Sequence, residues 1–182
     1  MNKIFGVFLI LLLFPIIILV GLVIFLDDGF PILFRQKRVG RHNINFWIIK
    51  FRTMKVSTPD IPTHLATKDL IKYTNVGKLL RKYSIDELPQ LFNIIKGEMK
   101  FIGPRPALHN QYDLIELRNN EGIQKLNPGV TGWAQINGRD TLSISEKVKM
   151  DKYYLENQSF ALDLKILLLT FKKVIKSEDV SR

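Results

Sequence analysis

The chain has 182 residues, 46% hydrophobic and 24% charged, so it can form one domain with a core and is neither a disordered tail nor a polytopic membrane protein. Its 27 Lys and Arg residues against 17 Asp and Glu residues give a net charge of +10, which predicts anionic partners such as phosphates, nucleic acid or anionic lipids. Because it contains no cysteine, a disulfide framework, a thiolate zinc site and a cysteine nucleophile are excluded.

The first element in chain order is an uncharged apolar run, residues 4–26, with Pro15 at its centre. As a helix it would be ~35 Å long, enough to cross a bilayer core of about 30 Å. Proline removes a backbone donor, so the run is either a kinked spanning helix or a helix-break-helix that re-enters the same face. We expect re-entry, because each half would be about 16 Å long and would end inside the lipid. Lys3 before the run and the basic residues after it place the rest of the chain in the cytoplasm.

The middle of the chain is predicted to alternate short strands, helices and loops. The predicted strands are residues 32–38 and 45–52, and the predicted helices are residues 74–83, 86–96 and 143–154. The predicted loops, punctuated by glycine or proline, are residues 56–69, 101–106 and 127–139. Leu79 and Leu80 are expected to face inward from the first of these helices, and Gly97 to end the second.

The last predicted helix, residues 163–176, is amphipathic. Its lysines fall on one side, and Leu164, Leu167, Leu168 and Phe171 fall on the other. This pattern is typical of a helix lying at a membrane surface, and equally of a surface helix whose apolar side faces a core. Both interpretations stay open at this point.

Two adjacent carboxylates, Asp86 and Glu87, are the main candidates for chemistry. On spacing alone the pattern favours helix capping, since Ser84 and Glu87 match a capping box and Asp86 is itself a good N-cap. Pro89 fits only in a first turn, which makes Asp86 or a later residue the better cap. The alternative is a catalytic pair with separate tasks, one carboxylate as nucleophile and the other holding a metal or a proton.

Arginines near rigid turns are the second set of candidates. Arg105 stands between Pro104 and Pro106, and a guanidinium held on a stiff loop suits bidentate phosphate binding. Arg139 ends a second glycine-rich loop. The sequence contains no histidine metal motif, no G-x-S-x-G elbow and no P-loop or Rossmann glycine fingerprint. It also contains no recognisable nucleic-acid-reading motif, so nucleic acid is not an expected partner.

Six stretches match a known pattern in order and spacing, over nearly the whole chain. They are the apolar run with Pro15, FRQKRVG (34–40), KFRTM (50–54), SIDELPQLFNIIKGEMKFIGPRP (84–106), PGVTGWAQINGR (128–139) and DLKILLLTFKKV (163–174). On these motifs the chain resembles the bacterial sugar transferases called monotopic phosphoglycosyl transferases.

The resemblance implies a mostly helical α/β fold with two parts. Residues 1–30 would form a re-entrant membrane hairpin, and residues 31–182 a small cytoplasmic catalytic domain with short strands and a final interfacial amphipathic helix. Such enzymes move a sugar-1-phosphate from a UDP-sugar to undecaprenyl phosphate and release UMP. They act at the cytoplasmic face of the bacterial inner membrane, where anionic lipids are further partners, and they begin the assembly of a capsule, O-antigen or protein glycan.

The resemblance also implies roles for particular residues. Asp86 maps onto the family's nucleophile and Glu87 onto its partner glutamate, both at a Mg²⁺ cofactor. The residues that match family positions around the substrate phosphates are Lys50, Arg81, Arg105 and Arg139.

A non-catalytic alternative from another class is a membrane-anchored basic module that binds anionic lipids or an assembly partner. The acidic pair together with both arginine loops favours the enzyme, since a scaffold would not need them. The sequence leaves the sugar, the glycan pathway and the oligomeric state open, with a homodimer among the options.

Overall fold

The computed structural model describes residues 2–58, 72–138 and 141–176. The helices in these ranges are α1 (Asn2–Asp28), α2 (Gly77–Lys82), α3 (Gln90–Lys96), α4 (Tyr112–Asn120), α5 (Trp133–Ile136), α6 (Ile144–Glu156) and α7 (Phe160–Lys176). The strands are β1 (Leu33–Val39), β2 (Asn45–Phe51), β3 (Lys100–Ile102) and β4 (Gly129–Thr131). The predicted mostly helical α/β class is confirmed. Most of the predicted loop 56–69 lies outside the described ranges, as does Arg139.

The strands form two small sheets. β1 and β2 pair antiparallel, from Leu33 opposite Phe51 to Val39 opposite Asn45, which confirms the two predicted strands. β3 and β4 pair in parallel, and apart from Lys100 their residues fall in segments predicted as loops. That prediction was wrong because strands of three residues carry no readable alternation, and tertiary contact alone creates them. Glycine permits this contact, since a Cβ on Gly129 would overlap the backbone nitrogen of Gly103.

The apolar run forms one uninterrupted helix, α1, with Pro15 inside it. The predicted division into two helices at Pro15 is therefore not observed, because proline removes only its own donor and the helical bonds on either side persist. Among the described residues, α1 is the one helix long and apolar enough to cross a membrane. Most of its side chains are exposed, and its buried residues are Gly6, Val20, Gly21 and Ile24.

The buried face of α1 packs along its whole length against the rest of the chain. In its first half, Leu9, Ile10 and Leu13 contact a cluster formed by β2, α3 and Met99. In its second half, Val20 and Ile24 join a cluster with Phe51 and Leu80. Buried Arg52 then donates hydrogen bonds to the carboxylate and the backbone carbonyl of Asp28, at the end of α1. Contacts therefore hold both ends of α1 against one body.

Two further predictions are resolved by burial. Leu80 faces inward as predicted, but Leu79 is 55% exposed, because α2 has one buried side in a helix of only six residues. In α7 the fully buried side chain is Ile166, whereas Leu164, Leu167, Leu168 and Phe171 are exposed. The amphipathic helix is thus present, and its main apolar side does not face a core.

Candidate active site

The acidic pair lies in a tight 3-10 turn, Ile85–Glu87, which connects α2 to α3. Ser84 precedes this turn with its backbone in the left-handed region at φ 54°, and no side-chain capping bond forms there or at Pro89, the residue before α3. The capping interpretation is wrong, because a side-chain cap requires extended backbone at the N-cap. Asp86 is instead buried, with 7% of its surface exposed.

Glu87 brings two cations from distant segments together. Its Oε1 accepts a hydrogen bond from Nζ of Lys50 at 2.7 Å and another from Nη2 of Arg105 at 3.2 Å. Lys50 comes from β2, and Arg105 from the loop between two prolines, so the site joins three separate parts of the sequence. Charge-assisted bonds of this kind are shorter and stronger than neutral ones.

Burial and charge oppose each other at Asp86. Burial raises the pKa of its carboxyl, and the neighbouring Glu87 raises it further, whereas the positive charges of Lys50, Arg81 and Arg105 lower it. Burial likewise lowers the pKa of the Lys50 ammonium, which Glu87 and Asp86 counteract. The carboxylate of Asp86 is therefore poorly solvated, and it depends on its cationic neighbours to remain ionised.

Arg81 reaches the site from the last turn of α2. Its guanidinium lies over the ring of Tyr73, 5.4 Å from the ring centre, and Nη1 donates to the Tyr73 hydroxyl at 3.3 Å. These contacts fix the guanidinium close enough for its charge to lower the pKa of Asp86. The structure thus brings together five of the six predicted site residues, namely Lys50, Arg81, Asp86, Glu87 and Arg105.

A buried ion pair behind the site was not anticipated from the sequence. Arg118 of α4 donates from Nη1 to the backbone carbonyl of Arg105 at 2.9 Å, and from Nη2 to the carboxylate of Asp151 at 2.6 Å. Asp151, on α6, is 1% exposed. Because 33 residues separate the two partners, no local spacing in the sequence signals this pair.

A cavity of about 250 Å³ borders Glu87 of the acidic pair. Glu87 and Arg105 line it together with Leu9 and Leu13 of α1 and residues of β3, β4, α5 and α7. Gln135 of α5 also lines it, and this residue stands in a motif that carried the family resemblance but was not singled out as functional.

The donor set at the acidic pair fits a hard cation shared with a substrate. Among the described residues, no group of three or more His, Cys, Asp or Glu side chains could hold a metal ion by itself. Mg²⁺ is commonly bound through one or two carboxylates plus substrate phosphates rather than by an all-protein cage. Asp86 and Glu87 supply two such carboxylates beside three cationic side chains.

The sequence of this chain is similar to those of known bacterial proteins. Residues 1–177 match the family model described as bacterial sugar transferase. The chain is 42% identical over 180 residues to EpsL of Bacillus subtilis, named as an uncharacterized sugar transferase, covering 97% of this chain and 86% of EpsL.

Two longer relatives carry more specific names. A UDP-glucose:undecaprenyl-phosphate glucose-1-phosphate transferase of Klebsiella pneumoniae is 39% identical over 172 residues, which cover 91% of this chain and 37% of that protein. A UDP-N-acetylgalactosamine-undecaprenyl-phosphate N-acetylgalactosaminephosphotransferase of Aeromonas hydrophila is 34% identical over 166 residues, which cover 88% of this chain and 39% of that protein. The chain thus spans well under half the length of either.

Proposed function

Because the chain belongs to the bacterial sugar transferase family, we propose that it transfers a sugar-1-phosphate from a UDP-sugar to undecaprenyl phosphate. The family and the transferase class expected from the sequence are confirmed by the match over residues 1–177. The two longer relatives are named for this reaction with different sugars, so the sugar is not assigned. The observation that carries the proposal is that Asp86 is a buried carboxylate whose pKa is raised by burial and lowered by the charges of three nearby cations, Lys50, Arg81 and Arg105.

The first step is attack by a carboxylate oxygen of Asp86 on the phosphorus that bears the sugar. A bond forms between this oxygen and phosphorus, the bond to the bridging oxygen of the diphosphate breaks, and UMP leaves with the electron pair. Asp86 then carries the phosphosugar as an acyl phosphate, as in covalent catalysis by other aspartates. In the second step, an oxygen of the lipid phosphate attacks the same phosphorus, and the Asp86 carboxylate is released.

The cationic side chains address the main obstacle, which is that an anion must approach a diphosphate. Lys50 and Arg105 are held by Glu87, and Arg81 by Tyr73, so their charges are already in place before substrate binds. Preorganised charge of this kind stabilises the negative charge that builds up during transfer. Arg139, outside the described ranges, remains a predicted phosphate-binding residue.

We propose that Asp86 and Glu87 hold Mg²⁺ together with the substrate diphosphate. The ion, when bound, would neutralise phosphate charge and orient the reacting phosphorus. Nothing else in the scheme depends on it, because the carboxylate, the cations and the buried turn belong to the chain itself.

We further propose that α1, although it is one continuous helix, is inserted so that both of its ends lie at the cytoplasmic face of the inner membrane. At one end of α1 the ring of Phe5 lies 5.4 Å from that of Phe101, and at the other end Arg52 binds Asp28. The rest of the chain contacts both ends of α1, and a folded domain cannot lie on both sides of a bilayer. These contacts therefore favour re-entry of α1 over spanning. The exposed apolar side of α7 supports a second contact with the same surface.

The function is tested by incubating purified protein with Mg²⁺, undecaprenyl phosphate and each member of a panel of UDP-sugars, and by measuring UMP. We expect UMP release and a lipid-linked sugar product with at least one donor. Absence of both products across the panel would contradict the proposal and favour a non-catalytic membrane module.

A further inference from the structure

The cavity beside the acidic pair joins two environments that one ligand would have to satisfy. Glu87 and Arg105 of the site contribute to its lining. The remaining lining is largely apolar, with Leu9, Leu13, Phe101 and Val130 among its residues. Its polar members are Lys82, Ser84, Thr131, Gln135, Thr170 and Lys173. A ligand here therefore needs a charged group at the acidic pair and a hydrocarbon part directly attached to it.

The volume of the cavity agrees with a short length of hydrocarbon chain. A cavity of about 150 Å³ holds one benzene molecule, and this one measures about 250 Å³. Leu9 and Leu13 belong to α1, and most of the other side chains of this helix are exposed and apolar, so a chain that starts in this cavity can continue into lipid along the same helix.

Gln135 supplies an independent sign of a ligand. Its side chain is 9% exposed, and within residues 2–58, 72–138 and 141–176 neither its oxygen nor its nitrogen has a hydrogen-bond partner. The other buried side chains without partners in those ranges do not line this cavity. A buried amide without partners is destabilising, so its presence here favours a role in binding.

The neighbouring hydroxyls of Thr131 and Thr170 do not form hydrogen bonds with the Gln135 amide. Thr170 donates to the carbonyl of Ile166 at 2.8 Å, and the hydroxyls of Thr131 and Thr170 lie 2.7 Å apart. Because a hydroxyl has one proton, that of Thr131 is the donor in the second bond. The two threonines thereby fasten β4 to α7, and Gln135 keeps two N–H groups for a ligand.

We propose that this cavity binds the phosphate end of the polyprenyl acceptor, with the first isoprene units against Leu9, Leu13 and Val130 and the Gln135 amide donating to a phosphate oxygen. The inference rests on the proposed function. The donor sugar nucleotide fits less well, because most of the surface that uridine and the sugar hydroxyls would meet in this cavity is hydrocarbon.

The test separates acceptor binding from the first half-reaction. Leu13→Trp fills the cavity from α1, and Leu12→Trp places the same side chain on the exposed side of that helix as a matched control. Gln135→Met removes the amide with little change in volume. Two quantities are measured: KM for undecaprenyl phosphate, and UMP released in a single turnover without acceptor.

We expect Leu13→Trp and Gln135→Met to raise the acceptor KM about tenfold or more. UMP release without acceptor should stay unchanged, and Leu12→Trp should behave as wild type. Gln135→Met should also raise Tm, because it removes an unsatisfied buried amide. Farnesyl phosphate, with three isoprene units, should show the same rise in KM, since the cavity lies next to the phosphate.

Two results would overturn the inference while leaving the function intact. One is an unchanged acceptor KM in both variants, and the other is an equal loss of single-turnover UMP release, which would assign the cavity to the donor. If wild-type protein releases no UMP from any donor, it is the proposed function that fails.

Discussion

The ammonium of Lys50 lies 2.7 Å from Oε1 of Glu87, across 37 residues of sequence. Nη2 of Arg105 reaches the same oxygen at 3.2 Å. Glu87 therefore binds two cations directly, whereas the pKa of its neighbour Asp86, which burial raises, is lowered by the charges of these two cations and of Arg81. We therefore expect the two carboxylates to have different main tasks, with Glu87 positioning the cations and Asp86 acting as the nucleophile.

Replacing Lys50 by methionine tests this division. We expect Lys50→Met to lower kcat by roughly 10²-fold, which is typical for loss of one preorganised electrostatic group. The acid limb of the pH–rate profile should also move to higher pH, because the Lys50 charge lowers the pKa of Asp86. Lys55→Met, at an exposed lysine outside the site, is the matched control. An acid limb at the wild-type position would show that Lys50 does not act on the nucleophile.

Asp86→Asn should stabilise the protein in a pH-dependent way. Burial raises the pKa of Asp86 in the folded state. The stability that the protonated carboxyl contributes is therefore complete below the unfolded-state pKa of about 3.9, and it is lost as pH rises through the folded-state pKa. Asparagine does not ionise, so the Tm advantage of the variant over wild type should be larger at about pH 8 than at about pH 5. A Tm advantage that becomes smaller as pH rises would contradict a raised pKa for the buried carboxyl of Asp86.

Arg118 is expected to position Arg105 by donating a hydrogen bond to the backbone carbonyl of Arg105. Arg118→Met leaves Asp151 buried without its partner, which should lower the free energy of unfolding by ~3–5 kcal/mol. The double variant Arg118→Met/Asp151→Leu removes both charges and should recover most of this loss in a denaturant titration.

The same double variant separates stability from function. Activity should remain reduced about tenfold, because the Arg105 carbonyl still lacks its donor. The reduction should appear in KM for the UDP-sugar, since Arg105 is proposed to bind phosphate. Full recovery of activity together with stability would assign the pair a purely structural role.

The sequence predicted the local elements and the residues that meet around Asp86 better than it predicted long-range packing. The pair Asp86–Glu87 and its cations were found, because their motif was recognisable as a unit. Arg118 and Asp151 were missed, because they meet only when α4 packs on α6.

The remaining differences have the same cause. β3 and β4 have three residues each, and contact between glycine backbones creates them rather than side-chain pattern. The break expected at Pro15 is absent, because the flanking helical bonds persist and both halves of α1 rest on one surface.

Membrane topology can be tested with single cysteines, since the chain has none of its own. A cysteine replacing Asn2 and one replacing exposed Lys55 should be labelled from the same, cytoplasmic side, because both ends of α1 contact the body that carries Lys55. The Lys55 position serves as the internal reference. Labelling of the Asn2 position from the periplasm of intact cells would establish a spanning helix.

The docking of α1 depends on a small residue near its start. A Cβ on Gly6 would lie 3.3 Å from Cγ1 of Ile95, so α1 and α3 are already in close contact there. Gly6→Leu should push the helices apart and lower the free energy of unfolding by about 1–3 kcal/mol. Val7→Leu, on the exposed side of α1, should change it by less than about 0.5 kcal/mol. Equal effects of the two substitutions would show that α1 does not pack against α3 in the membrane.

The central claim, that Asp86 becomes covalently attached to the phosphosugar, is tested most directly by mass spectrometry of protein incubated with a UDP-sugar and no acceptor. We predict one equivalent of UMP and a mass increase equal to one sugar phosphate, located on the peptide that contains Asp86. Undecaprenyl phosphate should remove the modification, and Asp86→Asn should show neither UMP nor the added mass. UMP release only when acceptor is present, with no modified peptide, would contradict the covalent mechanism and indicate direct transfer.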